Sequence, residues 1–272
     1  MKVWFITGTS KGFGRIWAEA ALARGDKVVA TARNPETLKP LVEEYKKNVL
    51  TLGLDVTDRS AVFAAVKKAV ETFGRLDVVV NNAGYGQFGA VEELSETDAR
   101  AQMETNLFGA LWVTQAALPF LREQKSGHIL QVSSIGGVNA FPSLGMYHAS
   151  KWALEGLSQS LSQEVKGWGI HVTLVEPIGY STDWSGPSAK TAAPLPVYDF
   201  IREARKLLRQ NSAKPGVPEA TGPVILKLVD MAQPPLRLFL GATANSMIHA
   251  EYQKRLDEWD LHNALSVEAH GI

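Results

Sequence analysis

Thr7-Gly8-Thr9-Ser10-Lys11-Gly12-Phe13-Gly14 follows the apolar run Val3–Ile6 directly and leads into a helical pattern over Arg15–Arg24. A strand that ends in a glycine-rich turn before a helix gathers backbone N–H groups and the positive helix end, which together can bind a pyrophosphate. Glycine is needed there because a side chain would keep the backbone away from phosphate. Glycines also form ordinary turns, so the stretch indicates a nucleotide site only in combination with residues farther along the chain.

The composition is that of an ordinary globular protein. The chain has 272 residues, of which 45% are hydrophobic and 21% charged, which favours one domain over residues 1–272 and argues against disorder. Basic and acidic residues number 28 each, so no net charge draws the protein to nucleic acid or anionic lipid. No segment resembles a signal peptide or a membrane span, and we therefore expect a cytoplasmic protein.

Metal and thiol chemistry are not expected. The chain has no cysteine, which excludes disulfides, thiolate metal sites and a cysteine nucleophile. Its six histidines show no paired metal-ligand spacing and no accompanying carboxylate cluster. Structural or surface roles are expected for them: His128, His148, His171, His249, His262 and His270.

Strand-like and helix-like segments alternate along the chain. Seven short β-branched or apolar runs are typical of parallel strands buried on both faces: Val3–Ile6, Lys27–Thr31, Val49–Leu54, Leu76–Val80, His128–Val132, Ile170–Val175 and Leu236–Leu240. Between them, apolar residues recur at helical spacing over Arg15–Arg24, Pro35–Lys47, Arg59–Phe73, Glu96–Gln124 and Leu144–Trp168. The pattern predicts an α/β fold, a single doubly wound parallel sheet of about seven strands with helices on both faces, as in Rossmann-like domains.

Residues 178–223 interrupt this alternation. The stretch is rich in proline and holds a helical segment, Val197–Gln210. Long insertions at the carboxyl ends of parallel strands often form lids over ligands, because the open crevice lies at that edge. A disordered loop is the alternative, but Trp184, Tyr198 and Phe200 favour burial. We expect a substrate lid here.

Tyr147 and Lys151 lie four residues apart in a predicted helix and therefore share a face. An ammonium close to a phenol favours the phenolate, which would lower the phenol pKa from about 10 toward the range of a general acid or base. Ser134 ends a strand and could hold a substrate oxygen beside that phenol. Tyr-x-x-x-Lys often occurs by chance, but its position after this strand end, in a chain with a nucleotide turn, favours a catalytic role.

Four motifs in this order resemble those of the short-chain dehydrogenase/reductase family over essentially the whole chain. Thr7-Gly8-x-x-x-Gly12-x-Gly14 resembles the family's cofactor turn, and Asn81-Asn82-Ala83-Gly84 its motif at a strand end. Ser134 with Tyr147-x-x-x-Lys151 resembles its catalytic set, and Asn106 its fourth catalytic position. The resemblance implies that Tyr147 transfers the hydroxyl proton, Ser134 orients the carbonyl and Lys151 binds the nicotinamide ribose. It also implies that Asn106 supports a water linking Lys151 to solvent.

The preference for a cofactor can be argued from charge. After the second strand, Ala32-Arg33 provides no carboxylate for a ribose 2′-hydroxyl, whereas Arg33 could bind a 2′-phosphate and Lys11 adds a second cation. We expect NADP(H); surface cations without a ligand are the alternative. By resemblance, Asp55 contacts the adenine, with Val56 beside it. The predicted cofactor site comprises Gly8, Ser10, Lys11, Gly12, Phe13, Gly14, Arg33, Asp55, Val56, Asn82, Ala83, Gly84, Tyr147, Lys151, Pro177, Gly179 and Thr182.

One turn departs from the family's pattern. The family usually has Pro-Gly followed by a Thr after the sixth strand, and Pro177 and Thr182 keep that spacing. Ile178 stands where Gly is usual, and Gly179 comes one residue late. Phe13 is also bulkier than the aliphatic residue common at its position. We expect Pro177 and Thr182 to flank the nicotinamide over a turn that is shifted or bulkier.

The leading hypothesis is an enzyme that transfers hydride between NADPH and the carbonyl carbon of a mainly apolar ketone or aldehyde, or the reverse from an alcohol. Details such as Thr31-Ala32-Arg33-Asn34 resemble the branch that contains steroid and retinol dehydrogenases. Tyr85, Trp152 and Trp184 are the predicted substrate-binding residues, because they fall near strand ends.

The competing hypothesis is a non-catalytic protein that senses NADP(H) and regulates a partner. The complete set Asn106, Ser134, Tyr147 and Lys151 argues against it, since a sensor needs no proton-transfer residues. Relatives pair through the helices that correspond to Glu96–Gln124 and Leu144–Trp168, so the resemblance implies a homodimer or homotetramer.

Overall fold

A parallel sheet forms the centre of the structure, a computed structural model that describes residues 1–182, 184, 186, 189–211 and 214–271. The strands are β1 Val3–Ile6, β2 Lys27–Ala32, β3 Val49–Gly53, β4 Val78–Asn81, β5 Gln87–Phe88, β6 Gly127–Val132, β7 Ile170–Pro177, β8 Lys190–Thr191 and β9 Arg237–Leu240. Within the described residues, seven of them form one sheet in the order β3-β2-β1-β4-β6-β7-β9, and every pairing is parallel. The predicted seven-stranded parallel sheet is confirmed.

Helices cover both faces of this sheet. They are α1 Gly12–Ala23, α2 Lys39–Tyr45, α3 Arg59–Phe73, α4 Glu96–Met103, α5 Gly109–Gln124, α6 Gly145–Val165, α7 Asp199–Asn211, α8 Thr221–Asp230 and α9 Ala244–Ala269. One apolar cluster joins α1, α2 and α8 to one face, and another joins α3, α5 and α6 to the other. Because both faces are covered, β1 and β4 are buried along their whole length.

Two predicted helices differ from the structure. Pro35–Lys47 begins with a 3₁₀ turn over Pro35–Leu38, where the Asn34 side chain accepts a hydrogen bond from Glu36 N, and only then becomes α2. The predicted helix Glu96–Gln124 is interrupted by a π-helical segment, Glu104–Phe108, between α4 and α5. Apolar spacing could not reveal this interruption, because a single wide turn leaves the rest of the helical pattern in place.

The strand order reverses between β1 and β4, since β2 and β3 lie on one side of β1 and the later strands on the other. In such sheets the crevice at the carboxyl ends of the strands, at this switch point, is where ligands bind. The glycine turn after β1 and the motif after β4 both open into that crevice. The sheet therefore brings together residues that are about 75 positions apart in the chain.

The segment after β7, predicted as a lid, lies against residues 85–93. Strand β8 pairs with β5 in a separate two-stranded sheet. Leu195 N and Arg202 Nη1 both bond to Glu93 Oε1, at 2.7 and 2.6 Å, and the Tyr198 hydroxyl donates to Glu92 Oε2 at 2.6 Å. Of the predicted lid, residues 183, 185, 187, 188, 212 and 213 lie outside the described residues. No helix in the described part of the chain is long and apolar enough to cross a membrane.

Candidate active site

The glycine turn is tightly constrained by its neighbours. Gly8 and Gly12 adopt positive φ values of 70° and 61°, which side chains strongly disfavour. Gly14 has no such conformation, but a Cβ there would collide with the Asn82 side chain and lie 2.5 Å from Gly8 O. At the other side of the turn, Thr9 N and Thr9 Oγ1 both donate to Thr31 O, at 2.9 and 3.1 Å. The turn is thereby fixed to the end of β2.

The motif after β4 is fastened to the same turn. Thr7 Oγ1 accepts hydrogen bonds from Asn82 N and Ala83 N, both at 3.0 Å. Asn82 Nδ2 donates to Thr7 O at 2.8 Å and to Gly8 O at 3.0 Å. Asn81 faces the other way, and its amide donates to Thr114 Oγ1 and Gln131 Oε1, both at 3.0 Å. One asparagine therefore shapes the turn and the other holds β4 against α5 and β6.

The remaining predicted cofactor residues lie along the same edge. Arg33 directly follows β2 and is exposed, as are Ser10 and Lys11 at the tip of the glycine turn. Asp55 Oδ1 accepts hydrogen bonds from Thr57 N at 3.0 Å and Thr57 Oγ1 at 2.8 Å, which fixes the turn after β3. Val56 is buried and packs against Gly109 at the start of α5, where a Cβ would lie 2.6 Å from Val56 Cγ2. This edge of the sheet thus combines the buried Val56 with the exposed cations Lys11 and Arg33.

Ser134, Tyr147 and Lys151 meet at the ends of β6 and α6. The Ser134 hydroxyl bonds to the Tyr147 phenol and accepts a hydrogen bond from Gly136 N at 3.0 Å. Lys151 Nζ donates to Val132 O at 2.8 Å and lies 5.9 Å from the centre of the Tyr147 ring. Tyr147 and Lys151 are both buried. The structure therefore brings the predicted serine, tyrosine and lysine together.

The pKa of Tyr147 does not follow the sequence-based expectation. Burial raises it to about 12, and the hydrogen bond from Ser134 offsets only part of that rise. Burial also lowers the pKa of Lys151 to about 8, against the attraction of the Glu155 carboxylate. The prediction that Lys151 lowers the phenol pKa is wrong for this arrangement, because the ammonium is directed to Val132 O and burial dominates.

Asn106 lies in the π-helical segment and is buried. Its Oδ1 accepts from Tyr85 N, and its Nδ2 donates to Tyr85 O and Ser150 Oγ, each at 3.1 Å. A Cβ on Gly84 would lie 3.0 Å from Asn106 Oδ1 and 3.7 Å from Lys151 Nζ, so Gly84 separates the two side chains. The widened helical turn places Asn106 beside the lysine, and π-helical turns often occur at functional sites.

Of the three predicted substrate residues, Trp184 lies beside Tyr147. The Trp184 ring is 4.8 Å from the Tyr147 ring and 5.5 Å from the Phe88 ring, and it covers Gly86. Tyr85 lies on the strand-end loop bonded to Asn106. Trp152 is not part of this group: it is 41% exposed, and the Arg255 guanidinium from α9 lies 4.8 Å from the centre of its ring. Trp152 follows Lys151 directly and so points to another side of α6, and its role in substrate binding stays a prediction.

The departure after β7 has a structural explanation. Ile178 N donates to Leu240 O at 3.0 Å, and the Ile178 side chain packs on Gly241 and a small apolar cluster that includes Val138. Gly179 O accepts from Gly216 N at 2.9 Å, and Thr182 Oγ1 accepts from Trp184 N at 3.5 Å. The bulk of Ile178 is therefore accommodated by Gly241, the residue directly after β9.

Phe13 is likewise absorbed by packing. Its ring stacks on Trp17 at 5.3 Å and meets the edge of Tyr180 at 5.2 Å. These contacts join α1 to the segment after β7, so the large residue in the glycine turn has a partner across the crevice.

Sequence reasoning missed a buried polar cluster behind the catalytic group. It consists of Glu155 on α6, Glu176 on β7 and Arg237 on β9, with Ser133 next to Ser134. The two glutamates are 21 positions apart on different elements, and the spacing of Lys151 and Glu155 by one helical turn was the sole available signal. No group of three or more His, Asp or Glu side chains in the described part of the chain could hold a metal ion.

Comparison with known proteins agrees with this arrangement. The model of the short chain dehydrogenase family matches residues 2–193. An oxidoreductase of Botryotinia fuckeliana is 46% identical over 246 residues, which are 89% of this chain and 90% of that protein. A short-chain dehydrogenase from Streptomyces avermitilis has a crystal structure with a TM-score of 0.92 and 37% identity, covering 99% of this chain and 100% of its own.

An alcohol dehydrogenase from the archaeon Thermococcus sibiricus, solved in complex with 5-hydroxy-NADP, has a TM-score of 0.73 at 29% identity and covers 88% of this chain and 96% of its own. The parallel sheet, the constrained glycine turn and the serine–tyrosine–lysine group occur here in one chain, and the family match spans the turn, the group and every strand of that sheet except β9. This protein therefore belongs to the short-chain dehydrogenase/reductase family of oxidoreductases.

Proposed function

We propose that the protein is an NADP(H)-dependent oxidoreductase that interconverts mainly apolar ketones or aldehydes with the corresponding alcohols. The observation that carries the proposal is the contact between Ser134 and the Tyr147 phenol, one helical turn from Lys151, at the edge where the glycine turn opens. A phenol and a hydroxyl held side by side can both bond to one substrate oxygen, which is what a carbonyl reduction requires.

The choice of NADP(H) is supported by charge. Arg33 is an exposed cation at the end of β2, and Lys11 is exposed at the tip of the turn whose Thr9 bonds to Thr31. A guanidinium suits a phosphate dianion, and no carboxylate occupies the position that would bind a 2′-hydroxyl. The related archaeal alcohol dehydrogenase bound to 5-hydroxy-NADP adds support from outside this chain.

In the proposed mechanism, the glycine turn, Arg33 and Lys151 would hold NADPH, which would supply a hydride for the carbonyl carbon. Ser134 Oγ orients the carbonyl oxygen, and the Tyr147 hydroxyl donates the proton to the alkoxide that forms. A pKa of about 12 keeps the phenol protonated at neutral pH, which supports its role as donor. Lys151, with a pKa of about 8, can exchange a proton near neutral pH. Because its ammonium is directed to Val132 O, a proton from Lys151 would reach Tyr147 through an intervening group such as water.

The substrate class is inferred from the wall opposite the phenol. Trp184 presents its aromatic ring next to Tyr147, and Phe88 packs against that tryptophan. An aromatic wall favours substrates whose carbonyl is attached to hydrocarbon, because burial of that hydrocarbon supplies the binding energy. We further propose that residues 182–210 move as a lid. We also propose that copies of this chain associate through α4, α5 and α6.

The decisive experiment compares wild type with Tyr147→Phe. The variant keeps the ring that packs on Trp184 but removes the proton donor, so turnover should fall by about 10² to 10⁴ while NADPH binding persists. NADPH oxidation is followed with a panel of apolar ketones and aldehydes, NADP⁺ reduction is followed with the corresponding alcohols, and NADPH binding is followed by its fluorescence. Tyr252→Phe is the matched control, since that tyrosine is 41% exposed on α9 and lies outside the proposed lid.

Retention of more than about a tenth of the wild-type turnover in Tyr147→Phe, where a positioned acid is worth at least about 10², would overturn the assignment of Tyr147. Wild-type protein that binds NADPH but turns over none of the panel would instead favour the NADP(H)-sensing alternative.

A further inference from the structure

Two carboxyl groups are buried together directly behind the catalytic group. Glu176 is fully buried and Glu155 is 5% exposed. Arg237 Nε lies 3.1 Å from Glu155 Oε2 and 3.6 Å from Glu176 Oε1, so a single cation serves both. The second side of that guanidinium is occupied, since Arg237 Nη2 donates to Gln159 Oε1 at 2.9 Å.

The pair does not have enough donors for two carboxylates. Among the described residues, Glu155 Oε1 and both oxygens of Glu176 have no hydrogen bond of normal length and angle, and the Ser133 hydroxyl near Glu155 is a further donor that faces the pair. Ionised carboxylates accept only, and an unsatisfied buried charge is strongly unfavourable. A proton on one carboxyl turns it into a donor toward the other, which gives two of these three oxygens a partner and leaves one negative charge for Arg237.

The electrostatic surroundings of the two glutamates also favour a single negative charge on the pair. Burial raises the pKa of Glu176 to about 9, with repulsion from Glu155 adding to the rise, and burial also raises the pKa of Glu155. The charged groups facing the pair are Arg237 from β9 and Lys151 from α6, and Ser133 faces it from the end of β6.

The position of the pair connects it to the reaction. Glu155 lies one turn after Lys151 on α6, and its charge raises the pKa of that lysine. A Cβ on Gly137 would lie 2.5 Å from Ser133 Oγ and 3.1 Å from Glu155 Oε1, so the carboxyl also packs under the strand end that carries Ser134. Glu176 directly precedes Pro177, which we expect beside the nicotinamide.

We propose that Glu155 and Glu176 share one proton as a carboxylic acid–carboxylate pair, and that they are positioning residues which set the charge next to Lys151. The effect on the reaction rests on the proposed function above, whereas the shared proton does not. Loss of that proton in alkaline solution leaves two carboxylates facing one arginine, which weakens the native fold around Ser134 and holds Lys151 protonated.

The shared proton is tested on the protein without cofactor or substrate, by urea unfolding from pH 5.5 to 8.5. The variants are Glu176→Gln, Glu155→Gln, the double variant and Glu164→Gln, an exposed position on the same helix. Glutamine replaces the protonated acid without changing its shape and can donate to the remaining carboxylate.

Between the ordinary glutamate pKa and the raised one, native wild type holds one proton more than the unfolded chain. Its unfolding constant therefore rises by up to about tenfold per pH unit from this group. Between pH 5.5 and 8.5, the folding equilibrium constant of wild type should fall by at least about tenfold more than that of either single variant. The pH profile of the double variant should be no flatter than that of either single variant, because the pair holds only one extra proton. The profile of Glu164→Gln should run parallel to that of wild type.

Parallel profiles for wild type and Glu176→Gln would overturn the shared proton, as would additive flattening in the double variant. The second measurement is the pH dependence of kcat/KM. Glu155→Gln should move its Lys151-dependent limb to lower pH, because the carboxylate that favours the ammonium is gone, and Glu164→Gln should leave that limb in place. Identical limbs in all three proteins would refute the positioning role while leaving the unfolding result, and the proposed function, to stand by themselves.

Discussion

Gly14→Ala tests whether the glycine turn is fixed by close packing. Gly14 lies in the first turn of α1 without a positive φ, so alanine meets no backbone strain. The added methyl group would collide with the Asn82 amide and approach Gly8 O to 2.5 Å. The Asn82 side chain must leave, or α1 must shift away from the turn.

The cost can be worked out from the contacts that are lost. Displaced Asn82 gives up its hydrogen bonds to Thr7 O and Gly8 O, worth roughly 1 kcal/mol each. Overpacking adds about 1–3 kcal/mol, and the preference of a helix for alanine returns about 0.5–1 kcal/mol. The free energy of unfolding should therefore fall by roughly 2–4 kcal/mol. NADPH binding should weaken as well, since the backbone N–H groups move.

Urea unfolding and NADPH fluorescence titration measure the two effects. Gly156→Ala is the matched control: it lies on the exposed face of α6, and its Cβ would meet nothing within 4 Å. That substitution should raise the free energy of unfolding by about 0.5–1 kcal/mol. If Gly14→Ala keeps wild-type NADPH affinity and loses less than about 1 kcal/mol, the turn is looser than its contacts indicate.

Three further outcomes follow from the charges and contacts. Arg33→Asp should lower NADPH affinity by about one to two decades through loss of a charge-assisted pair of roughly 1.5–3 kcal/mol; an unchanged ratio of NADPH to NADH efficiency would show that Arg33 does not contact the phosphate. Hydrogen exchange over residues 182–210 should slow with NADPH and slow again with an apolar ketone; exchange that ignores both ligands would identify a fixed wall. Burial lowers the pKa of His128 to about 3, so the unfolded chain takes up a proton near pH 6.5 that the native protein does not, and stability falls as pH falls from 6.5 toward 3. His128→Gln keeps a donor for Thr173 Oγ1, and its melting temperature should fall less than that of wild type as pH is lowered. A melting-temperature profile parallel to that of wild type would contradict the lowered pKa of His128.

The sheet was predictable because burial on both faces leaves a strong signal in sequence. Runs such as Val3–Ile6 are apolar throughout, and each is followed by a helical period. Strands β5 and β8 could not be predicted, because two residues carry no periodicity and their pairing depends on how the segment after β7 folds back. The π-helical segment could not be predicted either, because one widened turn hardly changes the spacing of apolar residues.

The candidate site was predictable where its residues form a local pattern. Tyr147 and Lys151 share a helix face, and Ser134 ends a strand. Trp152 shows the limit, because adjacency in sequence places it next to Lys151 while the helix directs it toward α9. The phenol pKa also depends on burial and on where the ammonium points, neither of which a sequence contains.

The Glu155–Glu176 pair could not be found by spacing. Its members come from α6 and β7, and their meeting requires the register in which Leu174 opposes Arg237. Only the folded sheet brings one cation to two carboxylates.

The strand order has a consequence for how the chain assembles. Once β1, β2 and β3 have paired, each later strand of the sheet adds to the same growing edge, first β4, then β6, β7 and β9. Synthesis proceeds from the N-terminus, so every new strand leaves the ribosome when its template is already in place. The last addition protects β7, whose interior residues are buried. A chain that stops before β9 would present that strand as an unpaired, apolar edge, which invites aggregation.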